Sequence, residues 1–169
     1  MKRAIHIFPE IESEEIQRIR KVHDPLWDKI PPHITLVFPF TSNIPQSQII
    51  SHVCNVASEM NPFPLVLKEI TGASDEYLFL NVKKGNDSII HLHDQLYKGL
   101  LHPFRNQFNT YTPHITVGRI GIMEEFHRAV REYEKWSDCF HTDVTEIVIE
   151  EIDEREVSRV ISVIPLESQ

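Results

Sequence analysis

The stretch PPHITLVFPF fills residues 31–40, and TPHITVGRI fills residues 112–120. Both place Pro-His-Ile-Thr at the head of an apolar run, and a repeat of this kind points to a duplicated structural unit. In an extended strand alternate side chains share a face, so His33 and Thr35 point one way while Ile34 and Leu36 point the other. The same parity separates His114 and Thr116 from Ile115 and Val117. One face enters the core and fixes the strand, which leaves an imidazole and a hydroxyl side by side on the other. Pro32 and Pro113 bias the residue before each of them toward extended geometry and so set the entry to each strand.

Working outward, the flanking sequence repeats as well. Arg3 to Phe8 alternates as a strand and stops at Pro9; residues 11–23 switch to helical spacing, with Ile16, Ile19 and Val22 on one stripe. The loop HDPLWDKIPP leads into the first motif strand, residues 33–40. Ile49, Val53, Val56 and Met60 predict a helix over 45–60, with Ser42 or Asn43 as its cap. Phe63 to Ile70 and Tyr77 to Val82 read as strands joined by TGASDE, a hairpin-like connection containing Gly72. A helix over about 87–101, the loop LHPFRNQFNTYTP, the second motif strand at 114–120 and a helix carrying Phe126, Val130 and Tyr133 follow. Two strands near 140–152 and 156–165 complete the chain. Strand, helix, motif strand, helix, strand is therefore written twice, which implies two similar halves packed as a single bilobal unit over 1–169.

Composition restricts the partners. Seventeen Lys and Arg against 25 Asp and Glu leave a formal charge of -8, so the surface lacks the counterion-release term that drives binding to a long duplex. A small anionic ligand is compatible with that field, because salt screens distant charge and a few local donors override it. Cys54 and Cys139 have neither CxxC spacing nor disulfide-rich density, which suits a reducing cytoplasm. The apolar run Ala4 to Phe8 is interrupted by His6 and is too short for a signal segment or a membrane span.

Two imidazoles facing one cleft suit acid-base work. With an unperturbed pKa of about 6.5, one takes a proton from an attacking water while the other gives one to a leaving oxygen. The two threonine hydroxyls can donate to the non-bridging oxygens of a phosphate. The set fits in-line cleavage of a phosphodiester and supplies no carboxylate ligands of the kind a two-metal nuclease uses.

On these residues the sequence resembles the two-histidine (2H) phosphoesterase superfamily, which includes the bacterial 2'-5' RNA ligases and cyclic nucleotide phosphodiesterases. The lead-in DPLWDKIPPHITL, residues 24–36, further resembles an uncharacterised bacterial branch of phosphoesterases within it. The resemblance implies an α+β fold: a bilobal pseudo-twofold duplication of two mainly antiparallel sheets flanked by helices, with a central cleft. It implies that His33 and His114 are the acid and base, that Thr35 and Thr116 hold phosphate, and that no metal or other cofactor takes part. The substrate it implies is a 2',3'-cyclic phosphate or a 2'-5' linkage at a nucleotide or RNA end. Arg119 in HITVGR stands where RNA-ligase relatives often carry an arginine, which makes it a further candidate for phosphate binding. Strand parity sends Arg119 to the face opposite His114 unless Gly118 marks a bulge.

Other residues carry weaker signals. His91 and His93, two apart on a helix, diverge by about 200° and do not form a shared metal site. His93 borders the apolar stripe, and His6 reads as a structural histidine that could also line the cleft. Trp27, Phe104, Phe108 and Tyr111 lie in the loops delivering the motif strands, where they either stack on a base or pin the loops. Arg105 reads as solvated, and EEIDERE, residues 150–156, as a charged hairpin tip. Two other classes stay open: a module that captures a phosphorylated ligand without cleaving it, and a metal-dependent hydrolase, although no HExxH or carboxylate cluster is present.

Overall fold

A computed structural model describes residues 1–108 and 110–167; Asn109 of the second loop, Ser168 and Gln169 lie outside the described residues. In chain order the elements are β1 (Lys2–Ile7), α1 (Glu14–His23), β2 (Ile34–Thr41), α2 (Gln46–Ala57), β3 (Phe63–Ala73), β4 (Tyr77–Lys84), α3 (Asn86–Leu96), a 3₁₀ segment (Gly99–Phe104), β5 (His114–Arg119), α4 (Met123–Tyr133), β6 (Cys139–Val144), β7 (Glu146–Ile152) and β8 (Ser158–Pro165). All strand pairs are antiparallel, and the order across the sheet is β6-β3-β4-β5-β2-β1-β7-β8. The two sheets expected from the sequence are the four-stranded halves of this curled sheet. They meet at one bridge, between Ile34 of β2 and Ile115 of β5.

The pattern of the motif strands is the alternation their sequence demands. Ile34, Leu36, Ile115 and Val117 are fully buried, while His33, Thr35, His114 and Thr116 are partly open on the other face. Helices cover the buried face, and two of them are exchanged between halves. α1 packs on β5, and α3 packs on β2; α2 lies over β7 and β8, and α4 over β3. Each motif strand is thus backed by the helix that precedes the other.

Three local readings differ in the structure. The α2 helix starts at Pro45 without a side-chain cap, so neither Ser42 nor Asn43 serves it; the chain enters straight from Pro45, whose ring fixes its φ. Gly72 lies within β3, and the turn falls at Ser74 and Asp75, both with positive φ. Its lack of a side chain is a packing requirement, because a Cβ there would stand 2.7 Å from both Phe126 and Val130 of α4. The stretch 140–152 is two strands: β6 pairs with β3 in one half and β7 with β1 in the other. The chain crosses between halves at Thr145, whose carbonyl accepts a hydrogen bond from Leu166 N–H at 2.8 Å. Among the described residues no helix is long and apolar enough to cross a membrane.

Candidate active site

The loop before β2 is folded around a buried cation. Arg20, at the end of α1, donates from Nε to Asp24 at 2.8 Å and from its terminal nitrogen to the carbonyls of Leu26 and Ile30 at 3.3 and 2.7 Å. Asp24 in turn accepts from the Leu26 N–H at 2.9 Å. This closes DPLWDKI into a compact turn and delivers Pro31, Pro32 and His33 to the strand.

His33 and His114 are held in the same way. His33 Nδ1 lies 2.8 Å from the Pro31 carbonyl and His114 Nδ1 lies 2.6 Å from the Thr112 carbonyl, each bond reaching back two residues across a proline. A carbonyl only accepts, so Nδ1 carries the proton in each ring and Nε2 has no hydrogen-bond partner among the described residues. The intervening proline fixes the backbone between ring and carbonyl, a physical reason for Pro-His in both copies.

The seam register sets the relation between the copies. With Ile34 opposite Ile115 in an antiparallel pair, each histidine falls opposite the other copy's threonine, and the two histidines are diagonal neighbours across the seam. Such diagonal positions are roughly 7–8 Å apart at the backbone, a span suited to flanking one phosphate. Burial lowers His33 below its ordinary value, with its bond to Pro31 and the Asp24 charge opposing and with Arg20 and His114 adding to the fall. Burial also lowers His114, opposed by its bond to Thr112.

Beyond that bridge the two strands part, and side chains take over the β2 backbone. Tyr111 O–H donates to the Thr35 carbonyl at 2.8 Å, the Leu36 carbonyl accepts from His93 Nδ1 at 2.8 Å, and the Phe38 N–H donates to the Tyr97 hydroxyl at 3.0 Å. His93 and Tyr111 stack with centroids 3.6 Å apart and planes within 3°. His93 is therefore a buried support of the motif strand as well as a neighbour of the apolar stripe.

The open face holds two cavities that share Pro39. One of about 820 Å³ reaches His114 and Thr116 and is walled by Phe38, Tyr77, Phe79, Phe104, Phe108 and Tyr111. The other, about 160 Å³, reaches His33 and Thr35 together with His6, Lys2, Glu156 and Ser158. Of the loop aromatics, Phe104 both lines the larger cavity and packs on Phe40 at 4.8 Å, and Phe108 is almost fully exposed at its rim. Trp27 stands elsewhere, on the outside of the first loop beside Lys21. Arg105 is bound in a surface ion pair with Asp94.

Arg119 reaches the histidine face by a bulge. Leu78 pairs with Gly118 and Phe79 with Thr116, so Val117 is the extra residue and the parity changes before Arg119. Arg119 then sits opposite Tyr77, with its guanidinium 5.5 Å from that ring and Nε 3.2 Å from Glu76. Gly118 permits close approach at this point, since a Cβ would lie 2.8 Å from the His23 Cβ.

Two further residues complete this face, His6, which the sequence offered as a possible lining of the cleft, and Glu150, which it hid. His6 packs edge-on against His33, with centroids 4.5 Å apart, and Glu150 stands behind it. Glu150 falls inside β7, and the tip of the hairpin is Asp153 to Val157, where Asp153 accepts from the N–H groups of Arg155 and Val157. The alternation EIVIEEI carried that signal, masked by the acidic run that follows it. Among the described residues no three His, Cys, Asp or Glu side chains are grouped to hold a metal ion.

A two-lobed α+β sheet with a paired His-x-Thr seam defines a class, and comparison with known proteins identifies it. The model of the 2'-5' RNA ligase superfamily matches residues 7–156, and the chain belongs to that family. Among curated relatives, a Geobacillus thermodenitrificans protein named "Putative phosphoesterase" is 33% identical over 123 residues, covering 70% of this chain and 69% of the relative. A Bacillus cereus protein of the same description is 28% identical over 145 residues, 83% and 82% of the two chains. The fold matches that of TT0787 of Thermus thermophilus, with a TM-score of 0.65, 13% identity and 98% of both chains covered. It also matches E. coli LigT complexed with 3'-AMP, with a TM-score of 0.59, 16% identity and 99% and 98% coverage.

Proposed function

We propose that the protein is a metal-independent phosphodiesterase that hydrolyses a 2',3'-cyclic phosphate or a 2'-5' linkage at a nucleotide or RNA end. It works in the cytoplasm as a single bilobal unit. The observation that carries this reading is the seam: two imidazoles with Nδ1 anchored to carbonyls and Nε2 unbonded among the described residues, diagonal across one bridge, each facing the other copy's threonine. One Nε2 takes a proton from water as its oxygen bonds to phosphorus; the other gives its proton to the leaving ribose oxygen. Thr35 and Thr116 donate to the non-bridging oxygens, and Arg119 adds charge at the margin. The nucleoside lies in the aromatic cavity, where Phe79, Tyr77 and Tyr111 offer stacking surfaces. The 3'-AMP bound to LigT is a nucleotide of the size this cavity admits.

The test is incubation with 2',3'-cyclic mononucleotides, 2'-5' dinucleotides and cyclic-phosphate-ended RNA in EDTA, with products identified by isomer. Turnover in EDTA is expected, falling by about 10²- to 10⁴-fold in His33→Ala and in His114→Ala. Activity that survives both substitutions refutes the assignment, and tight binding without product shows a capture module instead.

A further inference from the structure

The two halves differ in what stands behind each histidine. In the β4–β5 pair Phe79 is opposite Thr116, and its ring stacks on His114 with centroids 3.5 Å apart. In the β1–β2 pair the corresponding residue, opposite Thr35, is His6. One imidazole of the seam thus rests on a benzene ring, the other on a titratable one. Behind His6 lies a carboxylate: Glu150 Oε2 is 3.6 Å from His6 Nε2, and both residues are only 2% exposed.

This carboxylate is poorly satisfied. Among the described residues neither Glu150 Oε2 nor His6 Nδ1 has a hydrogen-bond partner, and the Ser158 hydroxyl, which stands near enough to favour the ionised form, makes no bond of good geometry either. The cations of the neighbourhood hold other partners, although Arg3 Nε and one terminal nitrogen of Arg20 have none among the described residues. Arg3 donates to the Ile44 carbonyl, Arg159 pairs with Glu151, and Arg20 is bound to Asp24. At the mouth of the small cavity Lys2 stands with Glu156, which also pairs with Lys29. A buried carboxylate is costly unless a positive charge or a proton is at hand. The groups placed to supply one are His6 and, one ring further out, His33.

We propose that Glu150 and His6 are positioning residues that make His33 the proton donor and leave His114 as the proton acceptor, an assignment that rests on the hydrolase reading above. Burial holds His6 well below its ordinary value and pushes the Glu150 carboxyl up. His33 is lowered as well, by burial first and then by Arg20 and His114, but it is the less enclosed of the two rings and so the better placed of them to carry the answering charge. His114, on Phe79, has no such support and stays neutral. In the reaction His114 Nε2 takes a proton from water, the water oxygen bonds to phosphorus, and the bond from phosphorus to a ribose oxygen breaks. The proton on His33 Nε2 goes to that oxygen, giving a phosphomonoester and a free hydroxyl. His33 ends neutral and His114 protonated, and exchange with solvent resets both.

The test is Glu150→Gln, with His6→Phe, which copies the other half, as the second variant. Without substrate, the His33 ring titration followed by NMR is expected to move to lower pH in both variants while that of His114 stays in place. On 2',3'-cyclic AMP the basic limb of kcat/KM is expected to move down by up to a unit, a loss of about tenfold on that side, with the acidic limb fixed. Movement of the acidic limb alone makes His33 the base and overturns the proposal, as does an unchanged His33 titration. Absence of turnover in the wild-type protein counts against the hydrolase reading; the titration then still decides whether the pair governs His33.

Discussion

Replacing Asp24 with asparagine removes the charge that balances a cation sealed inside the first loop. Arg20 is 1% exposed and Asp24 7% exposed, and the bond between them is 2.8 Å. At charge centres roughly 4 Å apart and an effective dielectric near 20, the attraction is about 4 kcal/mol, and breaking a buried pair by removing one partner costs about 3–5 kcal/mol. The bonds from Arg20 to the Leu26 and Ile30 carbonyls persist in the variant and moderate the loss, so about 3 kcal/mol is expected at the low end of that range. For a chain of this size that corresponds to a fall in Tm of roughly 6–12 °C. Circular dichroism melts at fixed protein concentration and pH measure it. A companion variant, Arg20→Met with Asp24→Leu, removes both charges but strands the two carbonyls, and is expected to remain less stable than wild type. A midpoint for Asp24→Asn within about 2 °C of wild type would refute the claim that the loop is built on this ion pair.

Other outcomes follow from the same coordinates. Burial lowers the folded-state pKa of His6, His23, His33, His93 and His114 below the ordinary 6.5, so their stability contribution is complete above pH 6.5 and is lost as pH falls toward the folded values. Glu150, whose carboxyl is raised, works in the opposite direction above pH 4.5. Unfolding free energy from urea melts should therefore drop on acidification below pH 6.5, and His6→Phe should reduce that slope by up to about 1.4 kcal/mol per pH unit; an unaltered slope argues against a neutral buried His6. Gly72→Val forces a side chain into Phe126 and Val130 and should cost about 1–3 kcal/mol in urea melts; an unchanged midpoint argues against that packing. Arg119→Ala should raise KM about tenfold, the worth of one charge-assisted contact, while the pH limbs stay put. An unchanged KM removes Arg119 from the site.

The motif strands were legible because their parity is local: isoleucine, leucine and valine on one face, histidine and threonine on the other, with no distant information required. Helix and strand positions followed from the same periodicities. What stayed hidden depends on partners far along the chain. His93 has the sequence signature of any residue beside an apolar stripe, and only the parting of β2 from β5 creates the Leu36 carbonyl that it serves. Glu150 sits in an acidic run whose members have opposite fates, since Glu150 is buried behind His6 while Glu154 is exposed beyond the strand end. The break between β6 and β7 is equally non-local, because Thr145 differs from its neighbours only in where the chain must go next. Arg119 shows the middle case: a glycine raised the question of a bulge, and the register with Leu78 and Phe79 answered it.

The crossing of α1 onto β5 and of α3 onto β2 has a consequence for how such a molecule could be taken apart. Each motif strand borrows its roof from the other half, so a fragment ending after α2 would expose the apolar back of β2 and leave both α1 and α2 without the strands they cover. Fragments cut there should regain order only on mixing, when β1 recovers its pairing with β7 and each motif strand its covering helix.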